Sequence, residues 1–518
     1  MTSLFRTKTN SNLFFLLIPL LLSAYTHLWN PLGFPAGPSY DENIYLRRTM
    51  NVLTNLGPQE SDLYDHPYFL QIFLGGILLL IGYPNSLHPI VGNVASVDML
   101  YLVPKLIMGT LSIVDTFLIY KIAECYYNKN YNNGNEDNNI RIASIASILF
   151  AVMPIMLMVR TVWLESIQLP FILSSILFAT YAQKPSIKEV SGRNNNRNVL
   201  ILSFLSGIFL GLSIFTKIPA FTFVFLIGYL LFCSISNISK RNFKIFISWL
   251  ITVFSIPTIW PIYALSSGHL SMWLKGIFFQ THRNVQSFLN SIKYNFFIDP
   301  VFIAIGFAGF IFTGVIKRDL LIMLWVIPFM VFLYAIGFVS YWHLIPIFPA
   351  LSIAAAKMIV DLSTTRITNK KKDKRNIQHI VPFLIISGIA LFGILNTTKL
   401  ISENTNVNNP HFEAAAFVVK YLQDNHNDKF TVISNPFYSW IPFYVFNLHY
   451  DSIDYYDSPV SIKTKKVILI SDPVLIDRLN HNMVDKAIRK YLYGADKSLT
   501  FDDKNPYTNN KVVIYIHQ

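Results

Sequence analysis

The chain has 518 residues, of which 53% are hydrophobic and 14% are charged, and its formal net charge is +13. Soluble domains usually carry about 25% charged residues, so the composition excludes an ordinary soluble protein. Apolar runs such as Leu13–Leu28 and Val199–Phe215 approach the roughly 17–25 residues that a membrane-spanning helix needs. The basic residues lie largely in short loops between such runs, as the positive-inside rule predicts, which disfavours a nucleic-acid partner.

Eleven segments are predicted to cross the membrane. They are residues 13–29, 100–122, 141–159, 162–182, 198–216, 219–236, 243–265, 298–316, 319–339, 342–360 and 379–396. Residues 67–83 are also apolar, but crossing there would reverse the charge bias of every later loop, so they are placed at the outer interface. The N-terminus and the basic loop at 370–375 are then cytoplasmic. The host is the plasma membrane in a prokaryote and the endoplasmic reticulum in a eukaryote.

This topology leaves three parts outside: a long first loop at 30–99 that carries interfacial helices, a second loop at 266–297, and the C-terminal tail. We expect a transmembrane catalytic domain at 1–396 and a small extracytoplasmic α/β domain at 397–518. In the tail, apolar spacing predicts a helix over His411–Gln423. Strands are predicted at Phe430–Ile433, Lys466–Ile470 and Val512–Ile516, with a helix over Val474–Tyr491.

Ionisable residues beside the spans map to one depth, the outer membrane surface. In chain order they are Asp41, Glu42, Asp65, His66, Lys105, Arg160, Glu165, Lys217 and His343. Charged groups in or beside membrane helices are energetically costly and often functional. Acids and bases gathered at one depth are expected of a site that handles an anionic lipid headgroup.

Each of these residues also has a structural interpretation. Lys105, Arg160 and Lys217 could extend to the interface as ordinary snorkelling cations. Glu165 could form a structural ion pair with Arg160, and His343 could be a hydrogen-bonded interfacial histidine. The Asp41-Glu42 pair is also favourable in the first turn of any helix. Their common depth favours the functional interpretation.

Sugar transfer from a polyprenyl phosphate needs a carboxylate that accepts the acceptor's proton and cations that stabilise the departing phosphate. Asp41 is the candidate base, with Glu42 as the alternative. Candidates for the phosphate are Lys217, His343, Lys105 and Arg160, with Asp65, His66 and Glu165 in support. The cytoplasmic loops are too short for a nucleotide-sugar domain and carry no Gly-rich phosphate loop, which favours a lipid-linked donor.

Four motifs, in order and spacing, resemble the GT-C glycosyltransferases, in particular the dolichyl-phosphate-mannose protein mannosyltransferases and their aminoarabinose-transferase relatives. They are Tyr40-Asp41-Glu42, Asp65-His66-Pro67-Tyr68, Gly211-Leu212-Ser213-Ile214-Phe215-Thr216-Lys217, and Tyr341-Trp342-His343-Leu344-Ile345-Pro346-Ile347-Phe348-Pro349. Arg160 with Leu164-Glu165 is similar to a further Arg…Leu-Asp element. The resemblance covers roughly residues 10–360.

The chain departs from this pattern at three places. Tyr68 replaces the second proline, Glu165 replaces an aspartate, and Lys105 stands where the family tends to have arginine. The Trp-Trp-Asp motif of oligosaccharyltransferases is absent, since Trp440 stands alone. The resemblance implies an inverting, metal-independent reaction without cofactors, and fold similarity alone does not fix the donor sugar.

The sequence thus predicts a membrane glycosyltransferase that moves mannose or a similar hexose from a polyprenyl- or dolichyl-phosphate carrier to an extracytoplasmic acceptor, such as a protein Ser or Thr. The same chemistry on a lipid or glycan acceptor stays open. Two other classes also stay open: a transporter or lipid flippase, and a non-catalytic scaffold whose outer domain binds a partner. Transporters place ionisable groups near the bilayer midplane, whereas here they lie at one surface.

Overall fold

The computed structural model describes residues 10–34, 39–59, 64–130, 136–183, 192–232, 240–282, 288–337, 339–365, 375–405, 409–455, 460–502 and 511–518. The predicted basic loop at 370–374 lies outside these residues. Sixteen α-helices precede residue 406 in these described ranges. They are α1 Asn10–Leu28, α2 Tyr40–Leu53, α3 Phe69–Leu80, α4 Val94–Asn130, α5 Glu136–Val152, α6 Leu164–Ala182, α7 Gly192–Thr216, α8 Phe223–Phe232, α9 Lys240–Ser255, α10 Ile259–Ser266, α11 Leu270–Thr281, α12 Phe288–Ile298, α13 Pro300–Gly309, α14 Leu320–Ile336, α15 Phe348–Thr365 and α16 Arg375–Glu403.

Five of the helical segments are long and apolar enough to cross a membrane, and the number is eight if each of three bent pairs is one span. Four shorter apolar helices are Leu13–Leu28, Phe69–Leu80, Ile218–Phe232 and Leu320–Ile336. Three of these four coincide with predicted spans, and Phe69–Leu80 is the segment placed at the outer interface. The protein is therefore a multi-pass helical membrane protein, while the count of eleven spans and the orientation stay predictions.

Proline residues mark the bends in the three broken helix pairs. At Pro154, α5 gives way to a 3₁₀ segment, Pro154–Arg160, that turns by 75°. The break between α12 and Pro300 turns by 117°. Proline lacks the backbone N–H that a continuing helix needs, so the chain can change direction there. The first bend carries Arg160 to the end of α1, where its guanidinium is fully buried.

Residues 409–518, here called the C-terminal unit, form a small α/β structure. Its elements are α17 Asn409–Asp424, β1 Phe430–Ser434, α18 Pro436–Trp440, β2 Asp451–Asp454, β3 Lys466–Ser471, α19 Pro473–Asn480, α20 Lys486–Arg489, β4 Lys497–Asp502 and β5 Lys511–His517. The strand order is β2-β1-β3-β5-β4. Strands β2, β1 and β3 are parallel, and β5 pairs antiparallel with both β3 and β4.

The structure confirms the helix over His411–Gln423 and the three strands that were predicted in the tail. The single helix predicted over Val474–Tyr491 is wrong, because the chain breaks between α19 and α20. Asn482 takes a left-handed φ of 56° in that break, which ends a right-handed helix. Two outer strands, β2 and β4, and the short helix α18 were not predicted. Both strands are partly or fully exposed and carry few apolar residues.

One hydrophobic core joins the C-terminal unit to the helices of the first outer loop. Tyr101 of α4 lies 5.7 Å, between ring centroids, from both Phe412 of α17 and Phe437 of α18. Aromatic pairs at such distances stabilise the packing beyond the contribution of the apolar area that they bury. The C-terminal unit is therefore fixed against α4 and against α2, which carries the predicted acidic pair.

Candidate functional site

The acidic pair begins α2, with Asp41 and Glu42 in its first turn. Glu42 is completely buried. It accepts a hydrogen bond of 2.6 Å from the Tyr101 hydroxyl and one of 3.0 Å from the backbone N–H of Val162. The Lys105 Nζ lies 3.6 Å from the Glu42 Oε2. We call Glu42, Tyr101 and Lys105 the Glu42 group, and it joins α2 to α4 and to the start of α6.

A second set of side chains comes from three distant stretches of the chain. Glu165 lies in the first turn of α6, Lys217 follows α7, and His343 lies in the 3₁₀ segment Tyr341–Ile347. The Lys217 Nζ contacts the Glu165 Oε1, and the His343 Nε2 lies 3.7 Å from the same oxygen. We call these three residues the Glu165 group. The sequence placed them at one depth, and the structure brings them into contact.

Hydrogen bonds fix the orientation of both cation candidates. The Ser340 N–H donates to the His343 Nδ1 at 3.1 Å, so in the neutral ring the proton sits on Nε2, the nitrogen that faces Glu165. Gln168 donates to the carbonyl of Lys217 at 2.7 Å. The side chains of Lys217 and His343 stay 11% and 12% exposed, against 3% for Glu165. An incoming anion can therefore reach the two donors more easily than the carboxylate behind them.

Asp65 and His66 precede α3 and lie beside other parts of the first outer loop. Asp65 forms a 2.9 Å ion pair with Arg48, which is nearly fully buried in α2. Burial alone would raise the pKa of Asp65, but the Arg48 guanidinium and, to a smaller extent, His66 hold that pKa below its usual value. The His66 Nε2 lies 3.4 Å from the side-chain nitrogen of Gln280 in α11. Asp65 is thus a fixed negative charge.

Arg160 does not pair with Glu165, the structural alternative considered above. Its Nη1 donates to the backbone carbonyls of Thr26 and Trp29 at 3.1 and 3.2 Å, because the bend at Pro154 directs it to the end of α1. The Arg160 Nε and Nη2 are buried and have no hydrogen-bond partner within the described residues. Lys105 also reaches a carbonyl, that of Phe34, at 3.4 Å. These two cations lie on the Glu42 side of the site.

Tyr45, one turn after Asp41, is influenced electrostatically by three of the carboxylates. Burial raises the pKa of the Tyr45 hydroxyl well above its usual value, and the Asp41, Asp65 and Glu165 carboxylates raise it further. All three carboxylates are therefore within electrostatic range of one hydroxyl. Asp41 is half-buried and also lies within electrostatic range of Tyr341, two residues before His343. Asp41 and Asp65 thus lie in the same region as Glu165, whereas the contacts of the Glu165 group are among Glu165, Lys217 and His343.

Several residues of the site were not identified from the sequence. Tyr101 lies one helical turn before Lys105, a spacing that places both on one face of α4 and could have indicated a shared partner. Trp163 packs on Trp342, with ring centroids 5.2 Å apart, beside the Glu165 group. The Tyr40 hydroxyl donates to Asp454 of β2 at 2.8 Å. No sequence signal links Tyr40 to Asp454, which lies 414 residues away.

Among the described side chains, no group of three or more His, Cys, Asp or Glu residues could hold a metal ion. The site instead offers fixed carboxylates and hydrogen-bond donors. A half-buried carboxylate, Asp41, can accept a proton, and Lys217 and His343 can donate to a phosphate. The Trp163 and Trp342 rings add an apolar wall that can contact a sugar or an isoprenoid chain.

Comparison with solved structures finds proteins of the same fold. ArnT from Cupriavidus metallidurans in the apo state matches with a TM-score of 0.58 and 12% identity, over 97% of both chains. The same protein bound to undecaprenyl phosphate matches with a TM-score of 0.55 and 11% identity, over 98% of both chains. The archaeal oligosaccharyltransferase AglB from Archaeoglobus fulgidus, in complex with an inhibitory peptide and a dolichol-phosphate, matches with a TM-score of 0.56 and 13% identity, over 89% of this chain and 69% of that one.

No protein-family model matches the chain, and no curated protein matches it in sequence. The similarity is therefore one of structure, and it extends over nearly the whole chain, including the C-terminal unit. The chain has the fold of ArnT and of AglB.

Proposed function

We propose that this chain is a membrane glycosyltransferase that moves a hexose, such as mannose, from a polyprenyl- or dolichyl-phosphate carrier to a hydroxyl group on the non-cytoplasmic side. The observation that carries the proposal is the contact of Lys217 and His343, from two distant stretches of the chain, with the one carboxylate of Glu165. Structures of two proteins of the same fold hold undecaprenyl phosphate and a dolichol-phosphate, respectively, which supports a lipid-phosphate donor.

In the proposed reaction, the acceptor oxygen attacks the anomeric carbon of the sugar from the face opposite the phosphate. The bond between that carbon and the phosphate oxygen breaks, and its electron pair leaves with the lipid phosphate. Asp41 takes the acceptor proton. The configuration at the anomeric carbon inverts, because attack and departure occur on opposite faces.

Lys217 and His343 stabilise the phosphate as it gains charge. An ammonium group has three donors, so Lys217 can keep its contact with Glu165 and still donate to phosphate oxygens. Glu165 orients both donors before the substrate arrives, and such preorganised donors contribute strongly to catalysis. We assign Asp65 to a supporting role, because its ion pair with Arg48 fixes the loop before α3.

The two members of the acidic pair differ in burial and in hydrogen bonding. Both oxygens of Glu42 are engaged by buried donors, and Glu42 is completely buried, so it has neither the exposure nor a free oxygen to receive an acceptor proton. Asp41 keeps partial exposure next to Tyr341. We therefore propose Asp41 as the base and Glu42 as a structural anchor of α2.

A protein Ser or Thr hydroxyl is the proposed acceptor, and a lipid or glycan hydroxyl is the alternative. The C-terminal unit contacts α2 beside Asp41, so the acceptor would enter between that unit and the helices. Mass spectrometry of glycoproteins and glycolipids from cells lacking the protein separates the two: loss of O-linked hexose from peptides supports a protein acceptor, and loss from glycolipids supports the alternative.

The test of the base compares Asp41→Asn with the wild-type chain, each purified at full length in detergent and supplied with labelled polyprenyl-phosphate hexose and an acceptor extract. We expect the variant to lose transfer by about 10²–10⁴-fold, as for removal of a general base, with an unchanged melting temperature. Lys275→Gln, an exposed position on α11, is the matched control and keeps wild-type transfer. Undiminished transfer by Asp41→Asn would refute the assignment.

A further inference from the structure

A second polar cluster lies at the opposite end of the helices that carry the candidate site. Helix α14 ends at Ile336, shortly before Ser340 and His343, and begins directly after Lys317, Arg318 and Asp319. Its 17 residues rise by roughly 25 Å at 1.5 Å per residue. The segment from Tyr341 to Ser363, which starts at the candidate site, likewise carries Lys357 and Asp361 near its far end. This cluster is thus separated from the candidate site by the thickness of the helical bundle.

The cluster surrounds a cavity of about 250 Å³. Its lining comes from α4, α8, α14, α15 and the segment before α14, and is almost entirely polar: Tyr126, Tyr127, Tyr229, Thr313, Lys317, Arg318, Asp319, Leu320, Lys357 and Asp361. A water molecule occupies about 30 Å³ of liquid, so the cavity can hold a ligand several times larger. Four stretches that are distant in sequence place hydroxyl groups and charged side chains around one space.

The carboxylates of the cavity are engaged within the protein. Asp319 caps α14, accepting the Leu321 N–H at 3.0 Å, and its oxygens also accept the hydroxyls of Tyr126 at 3.3 Å and Tyr127 at 3.0 Å. Asp361 is paired with Lys357, which is 4% exposed. The negative charges of the cavity are therefore balanced by nearby donors.

Lys317 and Arg318 have no such partner. Both side chains are exposed, and neither forms an ion pair with any residue that the structure describes. The charged side chains that line the cavity are three cations and two carboxylates, which leaves a net positive charge. Two exposed cations beside each other favour an anion with several acceptor oxygens.

The backbone beside the two cations is irregular. Phe310–Ile316 is π-helical, and Arg318 adopts a left-handed φ of 55°, a conformation that non-glycine residues rarely take. π-Helical segments occur frequently at functional sites. Here the irregular segment supplies Thr313, Lys317 and Arg318 to the cavity, whereas a continuous helix into α14 would distribute these residues differently.

We propose that this cavity binds a phosphate group, as a site distinct from that of the sugar donor and on the opposite membrane face. Lys317 and Arg318 would contact the phosphate oxygens, and Lys357 would supply a third positive charge. The phosphate can belong to an anionic lipid headgroup or be free in solution. This site does not depend on the glycosyltransferase assignment.

The test measures the melting temperature of the purified full-length chain in detergent with three additives: short-chain phosphatidylglycerol, inorganic phosphate, and short-chain phosphatidylcholine as the zwitterionic control. We expect a saturable rise with an anionic additive and a smaller one or none with phosphatidylcholine. A rise with phosphatidylglycerol alone identifies a lipid headgroup, and an equal rise with inorganic phosphate identifies free phosphate. No rise with either anion overturns the proposal.

Substitutions in the cavity test whether the anion that raises the melting temperature binds there. Lys317→Gln combined with Arg318→Gln should weaken the apparent Kd roughly tenfold or more, because charge-assisted hydrogen bonds to the phosphate are lost. The single Lys317→Gln serves if the double variant folds poorly. Lys244→Gln is the matched control: it is exposed near the start of α9, on the same membrane face, and does not line the cavity. Equal affinity in the cavity variants and the control would overturn the assigned site.

Discussion

The Glu42 group and the Glu165 group both set a carboxylate against a lysine, yet they differ in access. Glu42 is sealed inside the protein, and its Lys105 is 1% exposed. In the Glu165 group the two donors keep a small exposed surface, 11% for Lys217 and 12% for His343. A buried carboxylate that satisfies all its donors mainly stabilises the fold, whereas donors held at a surface by a carboxylate behind them are available to a ligand. A carboxylate paired with a lysine therefore does not by itself identify a catalytic site, and the exposure of the pair must also be considered.

Replacement of Glu42 should give the largest effect, and it falls on stability. Glu42→Gln leaves the buried Lys105 ammonium without its countercharge, and breaking a buried pair in this way costs about 3–5 kcal/mol. We expect a strongly lowered melting temperature and poor recovery from the membrane, measured by fluorescence-detected size exclusion. Glu42→Gln combined with Lys105→Met should recover part of the loss. A stable but inactive Glu42→Gln protein would reverse the roles proposed for Glu42 and Asp41.

Replacement of Lys217 should act on the reaction. Lys217→Gln removes a donor for the departing phosphate, and loss of such a group lowers transfer by about 10²–10³-fold. The variant should also be somewhat less stable, because the buried Glu165 carboxylate loses its countercharge. This loss should be smaller than that of Glu42→Gln because Lys217 is partly exposed. The rate is measured with labelled lipid-phosphate hexose. A variant that melts early but transfers at the wild-type rate would place Lys217 with the structural residues.

Asp472 extends the comparison to a buried carboxylate that makes no ion pair with the described residues. Asp472 follows β3 and accepts a hydrogen bond from the side-chain amide of Asn435. Burial raises the pKa of Asp472 to about 7. The unfolded chain releases this proton near pH 4 and the folded chain near pH 7, so stability should fall as pH rises between these values, by on the order of 1–3 kcal/mol. Asp472→Asn should remove this component of the pH profile. An unchanged profile of melting temperature against pH would contradict it.

Much of the fold could be predicted because the signals are strong and local. Long apolar runs mark membrane helices, and the buried strands β1, β3 and β5 are dense in Val and Ile. The weaker strand β2 has the sequence Asp-Ser-Ile-Asp, which shows no strand preference and pairs only because β1 is beside it. The helix break after Asn480 is likewise set by local backbone geometry that periodicity does not show.

The sequence identified candidate residues of the site, but it could not predict which of their side chains contact each other. Topology placed Asp41, Glu165, Lys217 and His343 at one depth, since every span ends at one membrane surface or the other. Depth does not specify neighbours within the membrane plane. For Glu165, Arg160 lies five residues away and Lys217 lies 52 residues away, and only helix packing makes Lys217 the partner. Arg160 does not pair with Glu165 because the bend at Pro154 directs its guanidinium to backbone carbonyls at the end of α1.

Tyr40→Phe gives the smallest expected effect and tests whether the C-terminal unit positions the base. The substitution removes the hydrogen bond between the first residue of α2 and Asp454 of β2, which contributes about 1 kcal/mol to stability. Because Tyr40 is adjacent to Asp41, we also expect a several-fold loss in the transfer rate.

Tyr444→Phe is the matched control for this tether. Tyr444 of the C-terminal unit bonds Asn51 on the same helix, but ten residues beyond Asp41, roughly 15 Å along the helix axis. Both variants lose one hydrogen bond between the same two parts, so their melting temperatures should fall by similar amounts. Only Tyr40→Phe should lower the rate, because of the two tyrosines only Tyr40 is adjacent to the base. Equal rates in both variants would mean that the C-terminal unit stabilises α2 without positioning Asp41.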